Sequence, residues 1–253
     1  MQARILDNAP LGRGNRWLKL QLPPEAVLDH EPGTVLGLAM RHGAGLLRHA
    51  YTVSRADPAQ RTLEFLYRVI PQGRMTPHLA ALEPGAELLI NGRGGHPISA
   101  EVATDPAGLV LVSTGTGIGP LYGFSERALA QGWAQPLHLF AGFRELADAC
   151  LQERLQALAV AHPNFHWQFS LSQPDPGWAG LRGHVTESIA AQLGPVGDLH
   201  FHLVGNGNMV VELYQALMAA GLKDERVTSE IYFNYMDDPD PARIARLAAA
   251  FKR

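Results

Sequence analysis

The sequence predicts two domains, an antiparallel β-barrel followed by a doubly wound parallel α/β sheet of five strands. Three observations lead to this fold class. The first hundred residues carry short alternating segments broken by Gly and Pro turns, which is typical of a small barrel. Continuous apolar runs follow, as expected for buried parallel strands. Helical stretches separate those runs, and this β-α-β order indicates a parallel sheet. With 253 residues, 46% of them hydrophobic, the chain is long enough for two cores.

The barrel is predicted over residues 1–100. Its strands are expected at 16–22, 34–38, 50–54, 62–70 and 87–91. Turns at residues 31–33 and 83–85, each Glu-Pro-Gly, separate some of them. One short helix interrupts the strands, with Thr76 predicted as its N-cap and Pro77 as its first helical residue.

The parallel sheet is predicted over residues 101–235, after a linker near 100–107. Strands are expected at 108–113, 137–142, 165–171, 199–205 and 227–233, and helices at 120–130, 145–160, 186–193 and 209–220. Residues 236–253 form a helical tail, in which Asp240 caps a helix from Pro241 to about Phe251. Its apolar stripe favours packing on the domain over a lid or a dimer contact.

Two glycine-rich loops follow the first and fourth predicted parallel strands, at residues 114–120 and 204–209. Glycine lets the backbone approach a ligand closely, and the N–H groups at the start of a helix suit a pyrophosphate. The first loop, TGTGIGP, is not the GxGxxG fingerprint. If the two strands are neighbours, the loops face each other at the edge where doubly wound sheets bind ligands.

Composition excludes several classes of protein. Lys plus Arg is 21 against 24 for Asp plus Glu, which argues against a nucleic-acid binder. The single cysteine, Cys150, excludes an internal disulfide, a CxxC pair and a four-cysteine iron–sulfur cluster, and is predicted to lie buried in a helix. The eleven histidines show no metal-site spacing, so no metal is expected. Without a long apolar run or a secretory signal, a cytoplasmic protein with no membrane span is expected.

The ordered motifs resemble those of the ferredoxin–NADP reductase superfamily over nearly the whole chain. His49-Ala50-Tyr51-Thr52 is similar to the family's Arg-x-Tyr-Ser/Thr flavin motif, and Gly73-Arg74-Met75-Thr76 to the loop that holds the flavin pyrophosphate. Residues 113–120 resemble the nicotinamide-coenzyme loop. Further similarities lie at residues 142–144, 172–173, 205–209 and 229–233.

The resemblance implies FAD as the cofactor and NAD(P)H as the co-substrate, with FMN as a less favoured alternative because His49 replaces the motif arginine. Thr52 and Glu230 are the predicted catalytic residues, Thr52 by hydrogen bonding to flavin N5. The predicted cofactor-binding residues are His49, Ala50, Tyr51, Thr52, Gly73, Arg74, Met75, Thr76, Thr114, Gly115, Thr116, Gly117, Gly119, Arg144, Ser172, Arg182, Gly205, Asn206, Met209, Tyr232 and Phe233.

Several charged residues in or near this set remain open to more than one interpretation. Arg48 is adjacent to His49, but strand alternation places it on the opposite face. Arg144 and Arg182 are candidates for reading the 2′-phosphate of NADP, whereas Asp175 suits an NAD ribose hydroxyl, so the choice of NAD or NADP is left open.

The predicted function is that of a flavin-dependent NAD(P)H oxidoreductase. It would pass electrons between NAD(P)H and a separate ferredoxin, flavodoxin or oxygenase component, because one cysteine cannot hold a fused iron–sulfur cluster. The alternatives are a free-flavin or ferric-siderophore reductase, the reductase component of an oxygenase, and a regulatory subunit without NAD(P)H oxidation.

Overall fold

Seven antiparallel strands form the first sheet. The computed structural model describes residues 1–27, 29–103, 106–233 and 238–252, without the side chains of Arg93 and Phe233. The strands are β1 (Gln2–Pro10), β2 (Asn15–Gln21), β3 (Val35–His42), β4 (Gly45–Thr52), β5 (Arg55–Asp57), β6 (Thr62–Arg68) and β7 (Glu87–Gly94). Their spatial order is β4-β3-β7-β1-β2-β6-β5, and β4 also contacts β6, which curls the sheet around one core. Strands β1 and β5 were not predicted from the sequence.

Two short helices accompany these strands, α1 (Thr76–Ala80) and α2 (Ile98–Glu101). The prediction that Thr76 caps α1 is wrong. Met75 occupies the cap position without a side-chain hydrogen bond, and Thr76 is the first helical residue. The Thr76 hydroxyl instead accepts a hydrogen bond from the backbone N–H of Ile70 at 2.9 Å, because the chain turns back on itself there.

The second sheet is parallel and has six strands. In chain order its elements are β8 (Gly108–Thr114), α3 (Ile118–Ala130), β9 (Leu137–Phe143), α4 (Gln152–Ala161), β10 (Phe165–Leu171), β11 (Leu181–Arg182), α5 (Val185–Leu193), β12 (Leu199–Asn206), α6 (Gly207–Ala220), β13 (Val227–Phe233) and α7 (Pro241–Phe251). The order β11-β10-β9-β8-β12-β13 makes β8 and β12 neighbours, which is the condition under which the two glycine-rich loops face each other. The extra strand, β11, has two residues, too few for a period-2 pattern to show.

The helix predicted over residues 145–160 is interrupted. A 3-10 turn at Leu146–Asp148 precedes α4, and Leu151 between them has a φ of 66°, which ends any continuous helix. Cys150 is buried, as predicted, but it lies in this break and not inside a helix. Burial raises the pKa of its thiol to about 12, so the group is neutral at physiological pH.

The chain divides into two units with separate cores. Met1–Glu101 and Gly119–Arg127 form the first, and Val102–Ile118 with Ala128–Arg253 form the second. Residues 119–127 of α3 thus pack with the barrel strands. The ring of Tyr122 meets Trp17 edge-on at 6.5 Å, and a Cβ at Gly123 would lie 1.7 Å from the carbonyl oxygen of Ser54.

The C-terminal helix α7 belongs to the core of the second unit. Asp240 caps it by accepting a hydrogen bond from the N–H of Ala242 at 2.9 Å, as the sequence predicted. Leu247 and Phe251 are buried, and the Phe251 ring lies 6.4 Å from that of Phe201 on β12. The packing agrees with the predicted apolar stripe. Within the described ranges, none of the helices combines the length and apolar character that crossing a bilayer requires.

Two buried histidines on β12 share one hydroxyl group. Nε2 of His200 and Nδ1 of His202 lie 3.2 and 2.8 Å from Oγ1 of Thr228, and Ala103 donates its N–H to Nδ1 of His200 at 3.4 Å. Neutral rings satisfy these contacts if His200 donates to Thr228 and Thr228 donates to His202. Burial, aided by Arg226, lowers the pKa of His200 to about 4, and burial together with His200 lowers the pKa of His202 to about 3.

We expect the free energy of unfolding to fall as the pH drops from 7 to 5. The pKa of each histidine is lower in the folded protein than in the unfolded chain, where it is about 6.5. Both groups therefore stabilise the fold above about pH 6.5, and this stability is lost as the pH falls toward their folded pKa values. The loss between pH 7 and 5 is about 2 kcal/mol for each histidine.

Urea unfolding at the two pH values measures this loss. His202→Asn keeps a hydrogen-bond acceptor but does not titrate, so its loss should be about half that of the unmodified protein. An undiminished loss in His202→Asn would show that the buried pair is not its source.

Candidate functional site

Strand β4 carries the predicted flavin motif, and its side chains alternate between two faces. His49 and Tyr51 share one face, with ring centroids 6.2 Å apart, and Tyr51 packs edge-on against Tyr67 of β6 at 6.2 Å. Across the part of the chain that the structure describes, the buried hydroxyl of Tyr51 has no hydrogen-bond partner. Burial, with Tyr67 nearby, raises the pKa of this phenol above its usual value. Tyr51 thus offers a neutral, half-buried ring and an unsatisfied hydroxyl to a ligand.

A groove of about 480 Å³ runs beside this motif on the first unit. It is lined by Val35, Gly37, Arg48, His49, Ala50, Asn91, Gly92 and Gly94, none of which is acidic. The Arg48 guanidinium lies over two glycines, 3.2 Å from the Cβ position of Gly37 and 3.3 Å from that of Gly92. Arg48, which strand alternation places on the face opposite His49, and Asn91 line this groove but were not among the predicted site residues.

The predicted pyrophosphate loop is a tight turn that closes on Thr76. Gly73 donates its N–H to the carbonyl of Ile70 at 2.8 Å, and a Cβ there would lie 3.1 Å from the Thr76 hydroxyl. Arg74 is exposed, whereas the Met75 side chain is buried in the barrel core and leaves only its backbone for a ligand. The turn therefore presents one cation and backbone groups.

The two glycine-rich loops of the second unit meet at the carboxyl ends of β8 and β12. Asn206 donates its N–H to Oγ1 of Thr114 at 2.8 Å. A Cβ on Gly205, whose φ is +138°, would lie 2.3 Å from that same Oγ1, and one on Gly117 would lie 2.6 Å from the carbonyl oxygen of Val204. Glycine is required at both positions because the loops are in direct contact. The expectation that they face each other is met within this sheet.

The outer side of this pair of loops is open. Gly115 has a φ of +56°, and a Cβ there would find no heavy atom within 4 Å, so the backbone leaves space that a ligand can fill. Thr116 follows it and is half-buried. Asn206 caps α6 by accepting from the N–H of Asn208 at 2.9 Å. A cradle of this form fits a dinucleotide pyrophosphate.

Residues after β9 and β10 lie along the same edge of the sheet. Ser172 donates its N–H to the carbonyl of Phe143, and Gln173 donates to that of Arg144 at 2.7 Å. The side chains pair as well, with Arg144 Nε donating to Oε1 of Gln173 at 2.8 Å. Arg144 is exposed, so it presents a cation at this edge.

Arg182, the second candidate for the 2′-phosphate, contacts the backbone of its own loop. One of its nitrogens, Nη2, donates to the backbone carbonyls of Pro176 at 3.1 Å and Trp178 at 2.6 Å, and lies 3.4 Å from that of Asp175. These contacts join Arg182 to the loop between β10 and β11, and its side chain is exposed, as is that of Arg144. That Arg182 reads a 2′-phosphate stays a prediction.

Several other predicted residues are explained by packing. Gly119 lies against the barrel, where a Cβ would come within 2.5 Å of the Ser54 hydroxyl, and Met209 is buried in the core of the second unit. Glu230 and Tyr232 are half-buried on β13, and Glu230 pairs in register with Val204. The side chain of Phe233 lies outside the described residues.

The first unit is a barrel with a groove that no acidic side chain lines, beside the strand that carries Tyr51. The second unit is a parallel sheet whose glycine-rich loops suit a dinucleotide. Together they define a flavin- and nicotinamide-dependent oxidoreductase. Comparison with protein families agrees. Residues 2–97 match the oxidoreductase FAD-binding domain and residues 111–213 the oxidoreductase NAD-binding domain, together well over half of the chain. The chain belongs to the ferredoxin–NADP reductase superfamily.

Individual relatives agree with this assignment. A protein named ferredoxin–NADP reductase B from Sorangium cellulosum is 28% identical over 83% of this chain and 87% of its own. The electron transfer component of a toluate 1,2-dioxygenase from Pseudomonas putida is 29% identical over 64% of this chain, but this match covers only 47% of that relative.

Solved structures show the same fold. A cytochrome P450 reductase from Amycolatopsis has a TM-score of 0.80 and 26% identity over 92% of this chain and 70% of its own. A ferredoxin NADP⁺ reductase from Neisseria gonorrhoeae has a TM-score of 0.77 and 20% identity, over 92% of this chain and 98% of its own. The chain is an FAD- and NAD(P)-dependent oxidoreductase.

Proposed function

We propose that this enzyme passes electrons from NAD(P)H to a separate one-electron protein carrier, either a ferredoxin, a flavodoxin or an oxygenase component. The similarity to the Sorangium ferredoxin–NADP reductase carries this proposal, because it extends over most of both chains. Relatives named as components of dioxygenase systems support a carrier in the same class, although the chain spans only about half of their length.

The residues of the first unit would hold the flavin. FAD, when bound, accepts a hydride from a nicotinamide and releases the two electrons one at a time. Tyr51 would pack its neutral ring against the cofactor, and Thr52, at the end of β4, would donate a hydrogen bond to it. His49, Arg74 and the backbone of residues 73–76 bind its phosphates, which are anionic. We assign this role to residues 1–100.

The residues of the second unit would hold the coenzyme. Residues 114–117 and 205–206 bind its pyrophosphate through backbone N–H groups, since the contact between these loops leaves one side open. Arg144 and Ser172 contact the adenosine end from β9 and β10, and Glu230 supplies the polar group near the nicotinamide. We assign coenzyme binding to residues 101–235. Residues 236–253 would support the structure of this unit.

The proposed acceptor is tested by reduction of cytochrome c, with and without added ferredoxin or flavodoxin. Cytochrome reduction that depends on the carrier, and saturates with it, supports the proposal. Rates that depend only on free FMN or riboflavin would indicate the free-flavin reductase instead. Rapid reduction of a ferric chelate without a carrier would indicate the siderophore alternative.

We expect Arg48 to supply the cation that the flavin motif lacks at His49. Arg48 lines the acid-free groove beside the motif, and its charge suits an anionic part of FAD. Arg48→Gln should raise the dissociation constant for FAD about tenfold or more, since a hydrogen bond to a charged group contributes about 1.5–3 kcal/mol. Titration of the apoprotein with FAD, followed by flavin fluorescence, measures this.

Arg41→Gln is the matched control for this experiment. Arg41 is an exposed arginine on the neighbouring strand β3, and it does not line the groove. Its substitution removes the same charge and should leave FAD affinity within about twofold, as expected of a screened surface cation. Equal losses in the two variants would show that general charge, and not the position of Arg48, holds the cofactor.

A further inference from the structure

One arginine of the C-terminal helix joins three helices of the second unit. Nη2 of Arg243, in the first turn of α7, lies 3.3 Å from Oγ1 of Thr186 and 3.5 Å from a carboxylate oxygen of Glu187, both in the first turn of α5. Its Nε lies 3.2 Å from a carboxylate oxygen of Glu212 on α6. A single guanidinium therefore connects α5, α6 and α7.

The charges at this junction make Arg243 hard to replace. The side chain of Glu212 is only 15% exposed, and its Oε1 is buried without a hydrogen-bond partner among the described residues. Glu187 on the neighbouring helix has the same charge. Without the arginine, the Glu212 carboxylate would lose its counter-charge while remaining largely removed from water. Glu187 is 49% exposed and can turn to solvent, so the cost falls on Glu212 and favours a shift of α6 relative to α7.

The two helices that Arg243 connects also adjoin the coenzyme loops. Helix α6 begins at Gly207, directly after Asn206, whose N–H is bound to Thr114 of the first loop. Helix α5 begins at Val185, and its side chain lies 3.0 Å from the Cβ position of Gly142, at the end of β9. A shift of either helix therefore moves a segment that borders the proposed pyrophosphate cradle.

We propose that Arg243 is a positioning residue for NAD(P)H, and that α7 sets the affinity of the coenzyme site through its contacts with Thr186, Glu187 and Glu212. The inference rests on the proposed function of the second unit. Arg243 touches neither coenzyme nor flavin in this account, and it acts by holding α5 and α6 in register with the loops at their N-terminal ends. The C-terminal segment thereby becomes a part of the binding machinery.

The test uses the FAD-loaded protein and variants at two positions of α7. Arg243→Gln should raise the KM for NAD(P)H roughly twofold to thirtyfold, with kcat within about twofold, because positional coupling of this kind is worth about 0.5–2 kcal/mol. Arg243→Lys retains the positive charge but not the several N–H donors of the guanidinium. Its KM should therefore lie between that of the unmodified enzyme and that of Arg243→Gln. Arg246→Gln, at an exposed arginine about one turn further along α7, is the control and should behave as the unmodified enzyme.

A second substitution separates positioning from a loss of folding. Glu212→Gln removes the buried charge from the other side of the junction, and should raise KM in the same direction. The variant that combines Arg243→Gln and Glu212→Gln should raise KM by no more than the single variant with the larger effect. Both substitutions break the same network of contacts. If Arg243→Gln does not fold, Glu212→Gln and Arg243→Lys still decide the question by their KM values.

Two results would overturn the inference. The first is a folded Arg243→Gln whose melting temperature falls while KM is unchanged, since this would make the junction merely structural. The second is an equal rise in KM for Arg246→Gln. An unmodified protein that neither oxidises NAD(P)H nor binds NADP⁺ or NAD⁺ would instead contradict the proposed function itself.

Discussion

Gly205→Ala should abolish most of the activity with NAD(P)H and leave the flavin in place. The new Cβ would lie 2.3 Å from the hydroxyl oxygen of Thr114 and 2.9 Å from its carbonyl oxygen, at a residue whose φ of +138° already disfavours a side chain. The two loops must separate to admit it. We expect kcat/KM for NAD(P)H to fall about 100-fold, since a displacement of about 1 Å in a binding site has effects of this size.

The measurement is steady-state NAD(P)H oxidation together with the visible spectrum of the bound flavin. Gly132→Ala is the control, because Gly132 also has a positive φ, of +91°, but a Cβ there would meet no atom within 4 Å. Its activity should change less than twofold. A Gly205→Ala variant with normal coenzyme kinetics would mean that the contact between the loops does not shape the site.

Gly123→Ala should destabilise the protein by about 3 kcal/mol or more, although alanine favours a helix by about 1 kcal/mol over glycine. Gly123 lies inside α3, where a Cβ would stand 1.7 Å from the carbonyl oxygen of Ser54 and 2.9 Å from its carbonyl carbon. Both atoms belong to backbone, so no side-chain rotation relieves the overlap. The helix would have to move away from the barrel strand.

Urea unfolding followed by circular dichroism measures this effect. Gly177→Ala provides the comparison, because no heavy atom lies within 4 Å of its Cβ position, and its free energy of unfolding should change by less than about 0.5 kcal/mol. If Gly123→Ala were as stable as the unmodified protein, the close packing of residues 119–127 on the barrel would be wrong.

The parallel strands were predicted well because burial on both faces leaves a direct mark on the sequence. Val110, Leu111 and Val112 of β8 are all fully buried, and no polar residue interrupts their run. Strand β1 was missed for the opposite reason. Asp7 and Asn8 interrupt its apolar alternation, and its register with β2 is irregular between Ile5 and Asp7. A strand with a bulge has no constant period for a pattern to detect.

The site shows the same division between local and long-range information. The glycine loops could be located from sequence, since strand, glycine and helix follow one another along the chain. That Gly117 accommodates Val204, and that Gly119 instead accommodates Ser54, depends on residues far away in the sequence. The carbonyl contacts that occupy Arg182, and the position of Arg48 in a groove, are likewise tertiary features that composition and spacing do not encode.

The central claim is that one chain holds FAD and reduces it with NAD(P)H. Anaerobic titration of the purified, FAD-loaded protein with NADPH, and separately with NADH, tests it most directly. We predict a yellow protein. At least one of the two coenzymes should bleach its flavin absorbance in proportion to the amount added. A protein that remains colourless after reconstitution with FAD, or a bound flavin that dithionite reduces and neither coenzyme does, would contradict the claim.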